Sequence, residues 1–122
     1  MGKTGIDLVN ATLTEMSELL RTRKVSPVEL VEATLQRIED VGPKLNCFVT
    51  VTGDYALERA KQAEREISAG KYRGPMHGIP IAVKDIYATK GIRTTSVLPS
   101  WENRYLDTIV QLYGNYSMPV RY

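Results

Sequence analysis

Gly74-Pro75-Met76-His77-Gly78-Ile79-Pro80-Ile81-Ala82-Val83-Lys84-Asp85 is the stretch from which the rest of the chain is read. A turn signal leads into a short continuous apolar run, which ends on two adjacent residues of opposite charge. Ile79, Ile81, Ala82 and Val83 lack the polar alternation of a half-exposed strand and predict a strand buried on both faces, as in parallel or mixed sheets. Pro80 has no N–H to donate, so it belongs at the start of that strand or on an edge. Lys84 and Asp85 then fall at the strand's C-terminal end, where open α/β sheets hold their ligands. Taken alone, Lys84 reads as a solvated lysine marking the end of burial.

Upstream of this strand the signals are helical. Thr14 is a candidate cap for a short first helix with Met16, Leu19 and Leu20 inward and Arg21, Arg23 and Lys24 near its end. Ser26-Pro27-Val28-Glu29 starts a second helix: a serine cap, proline in the first helical position, and a glutamate able to close a capping box. Val25 and Leu30 form a hydrophobic staple across that cap, and Val28, Val31, Leu35 and Ile38 make an apolar stripe at helical spacing. Gly42-Pro43 is the expected stop. Leu45 to Val51 predicts a strand with Cys47 as an inert thiol inside it. Asp54 is the candidate cap of a third helix with Ala56, Ala60, Ala63 and Ile67 inward, Glu58, Arg59, Lys61, Glu64, Arg65 and Glu66 on a solvated face, and Gly70 as its left-handed stop. His77 reads as a structural loop residue. Thr89-Lys90-Gly91 is a turn, and Ile92 to Ser96 a second short strand.

Composition narrows the function classes. A formal net charge of +2, with basic and acidic residues interleaved, argues against a nucleic-acid footprint. One cysteine and one histidine leave no internal disulfide and no four-ligand Cys/His zinc site within one chain. No apolar run approaches a membrane span and the N-terminus has no signal-peptide core, so the expected location is cytoplasmic, away from membranes. The helix–helix–strand–helix–strand order predicts an α/β fold.

Gly74 to Asp85, followed by Gly91-Ile92-Arg93-Thr94-Thr95-Ser96, resembles the lysine segment of the amidase signature family. Ser26-Pro27-Val28-Glu29-Leu30 and Leu45-Asn46-Cys47-Phe48-Val49 are similar to that family's N-terminal portion. The resemblance runs over residues 13–96. It implies the N-terminal helices and first strands of a mixed-sheet α/β fold, in incomplete form, with residues 1–96 as the N-terminal part of an amidase signature domain and 97–122 as a divergent C-terminal tail. It also implies hydrolysis of carboxamide C–N bonds in small-molecule amides by a Ser–cis-Ser–Lys triad, without cofactor or metal, and places Lys84 where the family has its catalytic base. The A subunits of glutamyl-tRNA amidotransferases are an equally good resemblance over these residues.

Beyond Ser96 the pattern departs from the family. Val97-Leu98-Pro99-Ser100-Trp101 stands where a Gly-Ser pair is usual, and the Gly-Ser-rich segment with both serines is absent. Ser96, Ser100 and Ser117 therefore receive no nucleophile role, and the expectation for this chain is a truncated amidase, inactive alone. Two alternatives stand beside it: a fragment of the glutamyl-tRNA amidotransferase A chain, and a non-catalytic interaction module that self-associates through an exposed sheet edge.

The chemistry sets its own demand on the lysine. A free lysine titrates near ~10.4, so a competent base at neutral pH needs a shift of about three units, or roughly 4 kcal/mol against the cation. Burial or a neighbouring cation supplies such a shift. Asp85 would oppose it, but strand alternation turns adjacent side chains to opposite faces. With the walls that would bury it missing from this stretch, Lys84 is expected to be an ordinary lysine here.

Overall fold

Capping chemistry sets both ends of the first two helices and the end of the third. In the computed structural model, residues 7–96 are described in full and residues 118–121 by their backbone. The elements run α1 (Leu13–Arg21), α2 (Pro27–Leu45), α3 (Gly53–Ser68), β1 (Pro80–Val83) and β2 (Met118–Arg121).

Helix α1 starts from Thr12, two residues ahead of the expected Thr14. The Glu15 N–H donates to the Thr12 hydroxyl at 3.3 Å, and the Glu15 carboxylate accepts the Thr12 N–H at 2.7 Å. Thr12 has an acid three residues on and Thr14 has only Ser17, so the reciprocal box closes on Thr12. At the other end Arg23 takes the left-handed conformation (φ 57°), while the Arg23 and Lys24 N–H groups return to the Leu20 and Leu19 carbonyls at 3.1 and 2.9 Å. These two bonds close a Schellman motif.

Helix α2 follows the sequence reading at its start. The Ser26 hydroxyl accepts the Glu29 N–H at 3.1 Å and the Glu29 carboxylate accepts the Ser26 N–H at 2.9 Å, with Pro27 next in line. Val25 and Leu30 are buried in one cluster, as the staple predicts. The expected stop at Gly42-Pro43 is overridden: the helix continues to Leu45 and is capped by left-handed Asn46 (φ 49°), whose N–H reaches the Gly42 carbonyl at 2.7 Å. Pro43 lies within the last turn, where its missing N–H forfeits one ladder bond, that to the Glu39 carbonyl, and the left-handed cap closes the helix soon after.

Residues 46–52 form an irregular connection instead of the expected strand. Among the described residues no neighbouring strand receives them, and Leu45, Val49 and Val51 stay 66%, 47% and 50% exposed. Strand preference acts through packing on a sheet, and without one it has nothing to act through. Helix α3 then opens from Thr52, not Asp54, which lies in the first turn near the positive end of the helix dipole. Its end matches expectation: Gly70 is left-handed (φ 78°), and Gly70 and Lys71 donate to the Ile67 and Glu66 carbonyls at 3.0 and 2.8 Å.

Two apolar clusters bind these elements. Val31 of α2 sits against Ala56, Ala60 and Ala63 of α3, flanked by Val28, Leu35, Ile38, Phe48 and Leu57. The small alanines let the helices approach closely. Leu8, Leu20, Val25, Leu30 and Ile79 form the second cluster where α1, the start of α2 and the entry to β1 converge.

Strand β1 begins at Pro80, as the absent N–H requires, and pairs in parallel with β2 in the register Pro80↔Met118 to Val83↔Arg121. Helix α2 touches β1 and α3 touches β2. The expected burial on both faces is not met: Val83 is buried, Pro80 and Ile81 are half-buried, and Ala82 is exposed. A strand needs a layer on each face to be buried on both, and the described residues supply none beyond Ala82. The second strand expected over 92–96 is reduced to a single antiparallel bridge, Thr89↔Ile92, around Lys90 and Gly91. Readings that fall on residues 97–117, Ser100 and Ser117 among them, lie outside the described residues. Helices and a parallel strand pair make this an α/β arrangement. Among the described residues no helix is long and apolar enough to cross a membrane.

Candidate active-site lysine and its supports

The end of β1 separates its two charged residues. Lys84 is exposed, while Asp85 is 4% exposed and turned the other way, as alternation predicts. A turn follows, closed by the Tyr87 N–H donating to the Lys84 carbonyl at 3.0 Å.

Asp85 forms the back of this corner. The Thr95 N–H donates to both carboxylate oxygens at 3.2 and 3.1 Å, and the Thr95 hydroxyl donates to Oδ2. A buried carboxylate is costly unless hydrogen-bonded, and these bonds are the charge-assisted kind that offset the cost. They clasp residues 92–96 against the end of β1. They also explain the missing strand, because the Thr95 N–H that a ladder would use is spent on Asp85. Thr94 and Ile92 are buried beside it.

A second polar cluster holds the loop that precedes β1. His77 is 4% exposed. Its Nδ1 accepts the Arg73 main-chain N–H at 3.2 Å, and its Nε2 faces the Glu66 carboxylate at 3.0 Å. An acceptor Nδ1 fixes the neutral tautomer with the proton on Nε2, donated to Glu66. Arg73 also donates from its guanidinium to Glu66, and Gln62 donates to Glu66 at 3.0 Å. Burial pushes the His77 pKa below its ordinary value despite the opposing charge of Glu66. Burial also works to raise Glu66, but the hydrogen bonds from Gln62 and Arg73 outweigh it and hold its carboxyl below the usual range. Tyr72, whose ring centroid lies 6.0 Å from that of His77, shares a 3.1 Å hydrogen bond with Ser17 of α1. His77 is thus a satisfied structural histidine, as expected. Glu66 is not on a merely solvated face, and Arg73 and Tyr72 are both hydrogen-bonded within the fold.

Cys47 is free and half-buried. Ser96 takes a left-handed conformation (φ 49°) at the far side of the Thr95 clasp. Among the described residues no group of three His, Cys, Asp or Glu side chains is placed to hold a metal ion.

Three helices feeding a parallel strand that ends on a lysine–aspartate pair define an α/β piece of the amidase signature type. The structure matches a bacterial aryl acylamidase of the amidase signature family with a TM-score of 0.82 at 28% identity, over 91% of this chain and 24% of that one. It also matches the peptide amidase of Stenotrophomonas maltophilia with a TM-score of 0.77 at 24% identity, over 83% of this chain and 21% of that one, a likeness of fold. The family model described as Amidase matches residues 29–113, and the chain belongs to that family. Among curated relatives, the A subunit of the glutamyl-tRNA(Gln) amidotransferase of Geobacter metallireducens is 43% identical over 108 residues, covering 88% of this chain and 21% of that protein. Its counterpart in Aromatoleum aromaticum is 48% identical over 88 residues, covering 72% of this chain and 18% of that protein. The chain therefore spans about a fifth of the length of these relatives.

The sequence singles out Lys84 as a candidate and does not reveal the residues that hold its backbone. Read in order, Asp85 counts only as a charge beside Lys84, and Thr95 only as part of a strand. The usable signal is the pairing itself: a carboxylate that must turn inward at a strand end needs donors, and Thr94-Thr95 are the hydroxyl residues next along the chain beyond the turn.

Proposed function

We propose that this chain carries the general-base lysine of an amide-cleaving site, with Lys84 serving a serine pair contributed by polypeptide outside the described residues, and that residues 1–96 are the N-terminal part of that domain with 97–122 a divergent tail. The observation that carries this reading is the end of β1. The Lys84 backbone is anchored on one side by buried Asp85 and its Thr95 partner, while the amine projects outward, available to other groups. In the proposed reaction the lysine takes a proton through the middle serine while the other serine attacks the amide carbonyl. The C–N bond breaks, ammonia or an amine leaves, and water hydrolyses the acyl-serine. The substrate class is a small carboxamide. Within that chemistry the relatives favour a piece of the A subunit of a glutamyl-tRNA(Gln) amidotransferase. A cytoplasmic location accords with this reading.

The test is a graft. Residues 29–96 replace the equivalent segment of the Geobacter metallireducens protein, and ammonia release from a carboxamide is followed with Lys84 and with Lys84→Ala. The expected result is turnover that falls about 10²- to 10⁴-fold in the variant, the usual contribution of a positioned acid–base group. A folded graft that turns over equally well without Lys84 overturns the proposal.

One observation favours a second reading, a non-catalytic interaction module. Leu45, Val49, Val51, Tyr55, Ile86 and Tyr87 are large apolar residues left exposed. On that reading the 122-residue chain co-purifies with, or dimerises against, another polypeptide, with affinity indifferent to Lys84→Ala. A chain that stays monomeric and binds nothing rejects it.

A further inference from the structure

The loop between α3 and β1 is held by one imidazole that uses both of its nitrogens. On the Nδ1 side the donor is a main-chain N–H, that of Arg73 at 3.2 Å. On the Nε2 side the partner is the Glu66 carboxylate at 3.0 Å, itself bonded to the Arg73 guanidinium and to Gln62. The bond pattern is compatible with one protonation state alone. A proton added at Nδ1 would place two donors face to face, and the Arg73 N–H would lose its imidazole acceptor. We infer that His77 is a proton-operated latch: neutral, it pins residues 71–79 to α3; protonated, it releases the Arg73 backbone and loosens the entry to β1.

Three features make a release at His77 travel along the chain. Within the loop the backbone ties are few, His77 N–H to the Gly74 carbonyl at 2.9 Å and Ile79 N–H to the Met76 carbonyl at 3.3 Å. Gly74 and Gly78 both hold positive φ, at 133° and 91°, so the turn depends on being held. Ile79, two residues on, is 2% exposed in the cluster with Leu20 and Leu30, and β1 follows at once. The charged and titratable groups facing the imidazole are Glu66 from α3 and Arg73 and Tyr72 from its own loop; the Tyr72 hydroxyl is engaged by Ser17 of α1. Glu66 favours the imidazolium, while Arg73 and burial oppose it. Burial is the largest of these and outweighs the pull of Glu66, which gives the downward direction of the His77 pKa.

The inference does not depend on Lys84 acting as a base, and its test involves no turnover. His77 is the single histidine, so its ring nitrogens give unambiguous NMR signals. In the 122-residue chain at pH 8 the expected spectrum is that of the Nε2–H tautomer. On acidification the ring should titrate with a midpoint below 6.5, the ordinary value for the residue. Exchange of the Arg73 amide, corrected for the intrinsic pH dependence, should rise roughly two- to tenfold across that midpoint, as loss of one ordinary hydrogen bond permits. His77→Asn places a non-titrating amide oxygen near the Nδ1 position, and in that variant the Arg73 amide should stay protected through the same range. An Nδ1–H tautomer at pH 8, a midpoint at or above 6.5, or Arg73 protection that ignores pH in the native chain overturns the latch. Those three readings come from the native chain and need no variant to fold.

Discussion

Gly78→Ala tests whether the corner between α1, α2 and β1 is as tight as its geometry states. Gly78 has φ +91°, and a Cβ built on it would lie 2.9 Å from Cγ and 3.3 Å from Cβ of Pro27, and 3.4 Å from Cδ1 of Leu20. Neither neighbour is free to yield: Pro27 is a rigid ring buried in the first turn of α2, and Leu20 is 1% exposed. Two costs therefore add. Left-handed backbone for an L-residue costs about 1–2 kcal/mol, and overpacking a filled site about 1–3 kcal/mol. Reduced freedom of the unfolded chain returns about 0.4–1 kcal/mol. The expected net loss is about 3 kcal/mol. Gly70 and Gly91 provide the control, because they hold similar φ (+78° and +73°) with nothing within 4 Å of the added methyl. Gly70→Ala and Gly91→Ala should each cost about 1 kcal/mol or less, since strain alone remains. Urea unfolding followed by far-UV circular dichroism gives all three losses. Combining Gly78→Ala with Pro27→Ala removes the closest atom and should recover part of the difference as a coupling energy. If Gly78→Ala costs no more than Gly70→Ala, or if Pro27→Ala recovers nothing, the steric argument fails and Gly78 is needed for its backbone conformation alone.

Asp85→Ala strands the Thr95 N–H and hydroxyl in a buried site, and urea unfolding should show a loss of about 2–3 kcal/mol, whereas Lys84→Ala, at an exposed position, should stay within about 0.5 kcal/mol of the native chain. Ser26→Ala removes the acceptor of the α2 capping box and should cost about 1 kcal/mol in the same assay. Stability should fall on acidification. His77 has a folded pKa below its unfolded value, so its contribution is fully present above about 6.5 and is lost as pH falls from there through the folded pKa. The depressed Glu66 adds a loss of the same sign below about 4.5, and thermal midpoints measured from about pH 8 to pH 4 should decline in those two windows. A midpoint that rises between about pH 8 and pH 5.5 contradicts the His77 assignment.

The features legible in the sequence are those whose physics is local. Ser26, Pro27 and Glu29 satisfy one another within a single turn, and Ala56, Ala60, Ala63 and Ile67 share a face through helical period alone. Sequence and structure part where a local preference competes with something not local. Leu45 to Val51 has strand-forming residues, yet a strand exists only against a neighbour, and a connection between two helices leaves none. Gly42-Pro43 carries two breaking residues, yet near a helix end they cost too little to stop it before Asn46 offers a left-handed cap. Thr14 and Asp54 are plausible caps by residue type; Thr12 wins by its reciprocal partner Glu15, and α3 begins from Thr52 without a side-chain cap bond.

The candidate site divides along the same line. Lys84 stands out because a strand end is a sequence-visible position and because its segment resembles a known family. Asp85–Thr95 and Glu66–His77 do not, because each spans a turn, over 10 and 11 residues, and nothing in either residue's own neighbourhood announces its partner. Yet these pairs give the lysine its setting. Asp85 fixes the peptide immediately after Lys84, and His77 with Glu66 fixes the loop that leads into its strand. The backbone on both sides of Lys84 is therefore anchored by polar bonds, buried at Asp85 and part-buried at His77, while its side chain stands exposed. In the proposed function, that anchored backbone sets the point from which the Lys84 amine would reach the serine pair.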